Sequence, residues 1–290
     1  MAEGQAPKLG FIGLGNLGAP MAKRLVDWPG GLIVFDVRPD AATSFADAGV
    51  QVAETIGEVA AADIISVMVL NDEQVRDVVA ELAARAKSGT VIAIHSTINH
   101  NTAVELAKDL KAKDIYGVDA PVSGGVEAVK TGELAAMVGA GRETYERIKP
   151  IFKQWASMVV HAGEPGAGTR MKLARNMLTF TSFAAACEAM KLAERAGLDV
   201  RALGRVVRHT DAHSGGAGAI MFREDMSGPL APDHFLYQPF MHTRGLAEKD
   251  LGLALGLGRE LDIDLPLAEI ALQNLAEGLG VPHTSATESP

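Results

Sequence analysis

Six residues near the start of the chain, Gly13-Leu14-Gly15-Asn16-Leu17-Gly18, restrict the possible folds more than any other feature. They follow an apolar run at 8–12 and open a helical pattern at 19–26. In that setting the G-x-G-x-x-G spacing has a physical meaning. The glycines permit a tight turn and close approach of the backbone to a pyrophosphate, whose charge rests at the helix N-terminus. A plain Gly-rich turn carries the same letters without the strand before and the helix after them. Asp36 ends the next apolar run, 18 residues past Gly18, close to the ~20 expected of an acid that holds an adenosine ribose 2′-OH. NAD is favoured on that ground. Arg38, whose guanidinium can pair with a 2′-phosphate, keeps NADP open.

Short β-branched runs continue to alternate with Ala-rich amphipathic stretches through the first half. Strands are expected at 8–12, 32–35, 64–69, 91–95, 116–118, 134–138 and 158–160, with helices such as 19–26 and 101–110 between them. Runs that are apolar on both faces belong in a parallel sheet covered on both sides, and right-handed crossovers make it a doubly wound α/β domain of Rossmann type. After His161 the strand-like runs cease, and the cluster Gly163-Glu164-Pro165-Gly166-Ala167-Gly168 punctuates the change. The expected organisation is a dinucleotide-binding domain over 1–164 and an all-helical domain over 165–290, entered through one long helix at about 169–195. Further helices are expected at 200–209, 244–260 and 267–279, and 284–290 reads as a frayed tail.

The stretch 177–190 carries one charge, Glu188. A helix this apolar is expected to be buried on most sides, which in a chain of 290 residues calls for a partner subunit, a homodimer or homotetramer. The net charge of −9, without long runs of one sign, disfavours nucleic acid as a partner. Cys187 is the sole cysteine, so no intramolecular disulfide forms. Residues 1–4 lack the basic-then-apolar opening of a signal peptide, and no apolar run approaches the ~18 residues of a membrane span; a cytoplasmic location is expected. With no Cys cluster, and neither an H-x-x-x-H nor an H-E-x-x-H arrangement expected among the eight histidines, no metal site is expected.

Four further places are candidates for chemistry. Lys172 lies near the start of the long helix with Asn176 four residues on, so both side chains share one face. A lysine desolvated there becomes a general acid/base, and an amide can orient a substrate oxygen, although the same spacing also suits a solvated helix surface. Ser123, Gly124 and Gly125 follow an expected strand, where their amides and the serine hydroxyl can bind a carboxylate; a structural turn is the alternative. Leu70 and Thr97 follow the strands at 64–69 and 91–95 and reach the same rim. Lys249-Asp250, by spacing alone, is an exposed charged pair on a later helix.

Together these segments resemble the β-hydroxyacid dehydrogenase family, which includes 3-hydroxyisobutyrate dehydrogenases, tartronate semialdehyde reductases and the related 6-phosphogluconate dehydrogenases. GFIGLGNLGAPMAKRL (10–25) is similar to the family's nucleotide signature, and DAPVSGGVEAVKTGELAAMVGA (119–140) to its substrate signature. GAGTRMKLARNML (166–178) resembles the segment with the catalytic lysine and its asparagine partner, which implies those roles for Lys172 and Asn176. EKDLGLAL (248–255) resembles a late segment whose lysine, here Lys249, lies near the nicotinamide. The resemblance implies reversible hydride transfer between NAD(P) and a small 3-hydroxy acid, the carboxylate held at Ser123, Gly124 and Gly125, and dimerisation through the helical domain. Imine reductases, which usually lack the lysine, and a non-catalytic cofactor-binding scaffold are the rival readings. The sequence departs from the family at Asn71 and His100, each a usual proline, at Arg175, commonly asparagine, and at His242, often phenylalanine. These departures bear on which acid is bound.

Overall fold

The computed structural model describes residues 6–224 and 226–283. The readings of residues 1–4 and 284–290 therefore lie outside the described residues. The chain divides into two compact units, up to Asn176 and from Met177 onward.

The first unit is built on nine strands: β1 (Leu9–Ile12), β2 (Leu32–Phe35), β3 (Gln51–Val52), β4 (Ile64–Val67), β5 (Val91–Ile94), β6 (Tyr116–Asp119), β7 (Val122–Ser123), β8 (Leu134–Gly139) and β9 (Ala156–Gly163). Its helices are α1 (Gly18–Lys23), α2 (Thr43–Ala46), α3 (Ile56–Val59), α4 (Asp72–Ala83), α5 (His100–Lys111), α6 (Gly125–Thr131) and α7 (Arg142–Phe152). The sheet runs β3-β2-β1-β4-β5-β6-β8-β7, with β9 beside β8. From β3 to β6 every pair is parallel, as expected.

Strand side chains alternate between two cores, one on each face. Leu9, Phe11, Val34, Val91 and Ala93 join Met21 of α1, Leu25 just past its end, and Ile148 and Phe152 of α7. Ile12, Ile33, Ile65, Ile92 and Ile94 join Val75, Val79 and Leu82 of α4 and Leu106 and Leu110 of α5. This is the doubly wound arrangement. Asn71 explains one departure: its side chain caps α4, accepting from the Gln74 amide at 2.9 Å.

The wholly parallel sheet is corrected at one end, where β8 runs antiparallel to β6 and β7. Only α6 and short turns join β7 to β8, too little chain for a parallel crossover of a dozen or more residues, so the strand returns as its neighbour's antiparallel partner. The longer α7 restores the parallel sense between β8 and β9. Strands β3 and β7, two residues each, are additions to those expected.

Helix α8 (Ala167–Arg195) begins in the first unit and continues into the second, which also holds α9 (Val200–Ser214), α10 (Tyr237–Glu260) and α11 (Pro266–Leu279). Glu188, the one charge in the apolar stretch, reaches the first turn of α11 and accepts from the Leu267 and Ala268 amides, each at 3.1 Å. The second unit has small cores, around Phe240 and Leu279 and around Leu255 and Leu265. The expected burial of 177–190 is not supplied by the described residues. Met177, Phe180 and Phe183 are each 60% exposed or more, and α9 contains no buried residue. No helix among the described residues is long and apolar enough to cross a membrane.

Candidate active site

The glycine loop leaves β1 and turns into α1. Gly13 has φ +94°, and a Cβ there would collide with the Met68 carbonyl oxygen at the end of β4. A Cβ at Gly18 would collide with the Gly13 carbonyl oxygen, so these two glycines are required by the fold itself. Gly15 differs, since nothing lies within 4 Å of where its Cβ would be. Its side of the loop is an open cradle.

That cradle lines a cavity of about 640 Å³ together with Gly13, Asn16, Asp36, Arg38 and Leu70. Asp36 accepts the Leu14 amide at 2.7 Å through one carboxylate oxygen. The other oxygen takes the Arg38 amide at 2.8 Å and its Nε at 3.3 Å. The acid at the strand end thus fixes the loop and lines the cavity. Ile12, Phe35, Val69 and Val78 provide apolar walls of the kind an adenine ring needs. An apolar cleft with a glycine cradle and a carboxylate is a chemical fit for a dinucleotide. Leu17 packs onto the core below. Leu70 is largely exposed and Thr97 is exposed outside the cavity's lining, while the neighbouring Ser96 bonds Val69 N and O at 2.9 and 2.7 Å and ties the ends of β5 and β4.

The second cluster forms where β7 meets the start of α8. Lys172 is 8% exposed, and its Nζ donates to the Val122 carbonyl at 2.7 Å and to Ser123 Oγ at 2.8 Å. Burial, reinforced by the nearby Arg175 guanidinium, holds its pKa below the ordinary lysine value. An ammonium has three N–H groups, so two such contacts leave one direction for a ligand oxygen. Gly124 and Gly125 have positive φ and exposed backbone, and the space beside Gly125 is open. Asn176 is one turn beyond Lys172, and its Oδ1 accepts from Arg175 Nη1 at 3.4 Å. Lys249 belongs to the second unit and pairs with Asp250 at 3.0 Å. His242 is in the same helix, whereas His100 opens α5.

One residue of this cluster escaped the sequence reading. Asp119, at the end of β6, is 2% exposed and accepts the Gly166 and Thr169 amides, both at 2.6 Å. It caps α8 from 50 residues away. A Cβ at Gly168 would meet the backbone of Asp119, Met137 and Gly139, so the first turn of α8 lies directly against β6 and β8. This clamp sets the helix carrying Lys172 against the strand carrying Ser123. A D-x-P-x-S-G string leaving a strand was the available signal, but nothing local says where a strand-end carboxylate points.

His209 and His213 stand four apart on α9 with ring centroids 4.8 Å apart, an H-x-x-x-H pair that corrects the expectation of no such arrangement. No group of three or more His, Cys, Asp or Glu able to hold a metal occurs among the described residues. His95 is a core residue: Nδ1 lies 2.8 Å from the Ala120 carbonyl, Nε2 lies 3.0 Å from Ser66 Oγ, and burial lowers its pKa to about 4 against the upward pull of that carbonyl.

Residues 8–163 match the family model described as the NAD binding domain of 6-phosphogluconate dehydrogenase. Residues 166–283 match the model described as NAD-binding of NADP-dependent 3-hydroxyisobutyrate dehydrogenase. The chain is 60% identical over 285 residues to an uncharacterized oxidoreductase of Mycobacterium tuberculosis, covering 97% of this chain and 96% of that one. It is 33% identical to 2-(hydroxymethyl)glutarate dehydrogenase of Eubacterium barkeri, covering 96% and 93%. A crystal structure of an oxidoreductase from Mycobacterium avium 104 superposes with TM-score 0.93 at 69% identity, covering 96% of this chain and all of that one. The M. tuberculosis 3-hydroxyisobutyrate dehydrogenase with L-serine gives TM-score 0.67 at 30% identity, covering 97% of each chain.

Proposed function

This chain belongs to the β-hydroxyacid dehydrogenase family and is an NAD(P)-dependent oxidoreductase of it, and we propose that it interconverts a small 3-hydroxy acid and its semialdehyde with Lys172 as general acid/base. The nicotinamide, when bound, supplies the hydride chemistry. Lys172 takes the hydroxyl proton as the alcohol is oxidised and returns it to the carbonyl oxygen on reduction. Ser123 steadies the lysine and, with the exposed amides of Gly124 and Gly125, holds the substrate carboxylate. Asn176 orients the reacting oxygen. The single observation behind this reading is the buried Lys172 ammonium bound to Val122 O and Ser123 Oγ, which joins two segments 49 residues apart at one point.

Its lowered pKa suits the role, because an amine nearer neutrality exchanges a proton more readily at physiological pH. NAD is the preferred carrier in this proposal, since Asp36 offers a carboxylate to a ribose hydroxyl and would repel a 2′-phosphate. The residues cradling the dinucleotide are Gly13, Leu14, Gly15, Asn16, Gly18, Asp36, Arg38 and Leu70, with Leu17 supporting the loop from the core side. Thr97 and Lys249 serve the nicotinamide end. The domains are a dinucleotide-binding unit over 1–164 and a helical unit over 165–290, working in the cytoplasm. A second copy covers the apolar faces of α8 and α9 as a homodimer or homotetramer.

The test is nicotinamide absorbance with NAD and NADP in parallel during oxidation of 3-hydroxyisobutyrate, glycerate, 3-hydroxypropionate, gluconate and 2-(hydroxymethyl)glutarate. Turnover of at least one acid, faster with NAD, is expected. Silence across the panel from protein that still binds NADH would sink the reading.

A further inference from the structure

Lys172, Arg175 and Asn176 fall at i, i+3 and i+4 of α8 and so share one face of the helix. Arg175 Nη1 bends to Asn176 Oδ1 at 3.4 Å, which carries the guanidinium toward that shared face. It lies near enough to Lys172 for its charge to add to burial in lowering the lysine's pKa. Two cations on adjacent positions of a helix repel each other, in a chain whose net charge is −9. A ligand that brings one negative charge satisfies the Ser123-Gly124-Gly125 end and leaves this repulsion in place. A ligand with a second oxyanion removes it. The guanidinium is also the group best shaped for the purpose, because its planar fork of N–H donors meets a carboxylate or phosphate in two parallel bonds.

We propose that Arg175 selects hydroxy acids that carry a second oxyanion, a carboxylate or phosphate at the end remote from the reacting carbon. The reacting end sits at Lys172 and Ser123, and in this respect alone the proposal rests on the function argued above. Recognition runs along one helix face: Lys172 on the hydroxyl, Asn176 beside it, Arg175 on the far anion. A monocarboxylate of the same length loses the far contact, and the preference between the two is the quantity Arg175 controls.

The experiment titrates the full-length, NADH-loaded protein with glutarate, butyrate and 4-phosphonobutyrate by isothermal calorimetry, for wild type, Arg175→Asn and Arg175→Lys. Glutarate should bind wild type about 10- to 100-fold more tightly than butyrate, the range expected of a charge-assisted contact. The ratio should fall to near one in Arg175→Asn and recover in part in Arg175→Lys, which keeps the charge without the fork. Tighter binding of 4-phosphonobutyrate than of butyrate, lost in Arg175→Asn, supports the phosphate form. Equal affinities in wild type, or a ratio unchanged by Arg175→Asn, overturn the proposal. A kinetic arm compares kcat/KM for (hydroxymethyl)succinate and 3-hydroxyisobutyrate in the same variants. Arg175-dependent glutarate binding without turnover of any acid would sink the dehydrogenase reading and leave this one standing. Turnover of a monocarboxylate without preferential dicarboxylate binding would do the reverse.

Discussion

Replacing Asp119 with Asn isolates the clamp that holds α8. The carboxylate is 2% exposed and takes two backbone N–H groups at 2.6 Å each. Asparagine has the same shape but one acceptor. One of the two amides would face an NH2 donor, and the remaining bond would fall to neutral strength. A hydrogen bond to a charged group is worth about 1.5–3 kcal/mol and a neutral one about 0.5–1.5, which puts the cost at about 2–4 kcal/mol. That is tolerable against a total stability of about 5–15 kcal/mol, so the variant should fold with a lower Tm. The catalytic effect should exceed the stability effect. Lys172 is one turn from Thr169, and a shift of ~1 Å at a reacting group costs about 100-fold in rate. A lysine moved off its buried seat also loses part of the burial that lowers its pKa, so the acidic limb of the kcat/KM profile should move to higher pH. The assays are thermal unfolding, NADH titration and steady-state rates from pH 6 to 10, with Asp119→Glu as a second variant that keeps the charge. A lower Tm with kcat and the pH limb both unchanged would refute the positioning argument and leave Asp119 a plain helix cap.

Three further outcomes follow from the same geometry. His95 stays neutral when folded down to a pKa of about 4, against 6.5 unfolded. The unfolded chain therefore binds the extra proton between those values, and stability contributed by this residue falls as pH drops from 6.5 to 4, by about 3 kcal/mol in all. Urea unfolding of wild type and His95→Gln across that window checks it, and identical slopes would contradict it. Gly15→Ala should leave Tm unchanged, because the new methyl finds open space, yet weaken NADH binding about tenfold or more; Gly13→Ala should lower Tm, since φ +94° and the Met68 carbonyl both exclude a side chain. Calorimetric scans with NADH titrations separate the two, and a Gly15→Ala protein of normal affinity would deny that the cofactor lies there. Asp36→Ser should shift the NAD-to-NADP preference in kcat/KM toward NADP while freeing the Leu14 amide; an unchanged ratio would remove Asp36 from cofactor selection.

The strands were legible where burial on both faces left an unmixed apolar run, as at Ile64–Val67 and Val91–Ile94. Strands β3 and β7 are two residues long and carry no period. The antiparallel return of β8 depends on how little chain joins it to β7, a matter of length rather than pattern. In the glycine loop, sequence spacing indicated the turn, but that Gly13 and Gly18 answer to the fold while Gly15 borders open space emerged only in three dimensions. Lys172 and Ser123 were each visible as candidates. Their contact spans 49 residues and depends on Asp119 gripping α8, which no local pattern encodes. The apolar stretch of α8 announced a need for burial, yet Phe180 and Phe183 are exposed, because a run with little charge says how much apolar surface there is and not what packs on it.

The most direct test of the central claim is single-turnover oxidation of the best acid from the panel by Lys172→Ala, followed by nicotinamide absorbance, with NADH affinity measured on the same preparation. General acid/base catalysis contributes typically 10²–10⁴-fold, so the rate should drop by about that factor while NADH binds as in wild type. A variant that turns over at the wild-type rate would contradict the account, because the buried ammonium beside Ser123 would then be a structural cation and the proton would travel by another group.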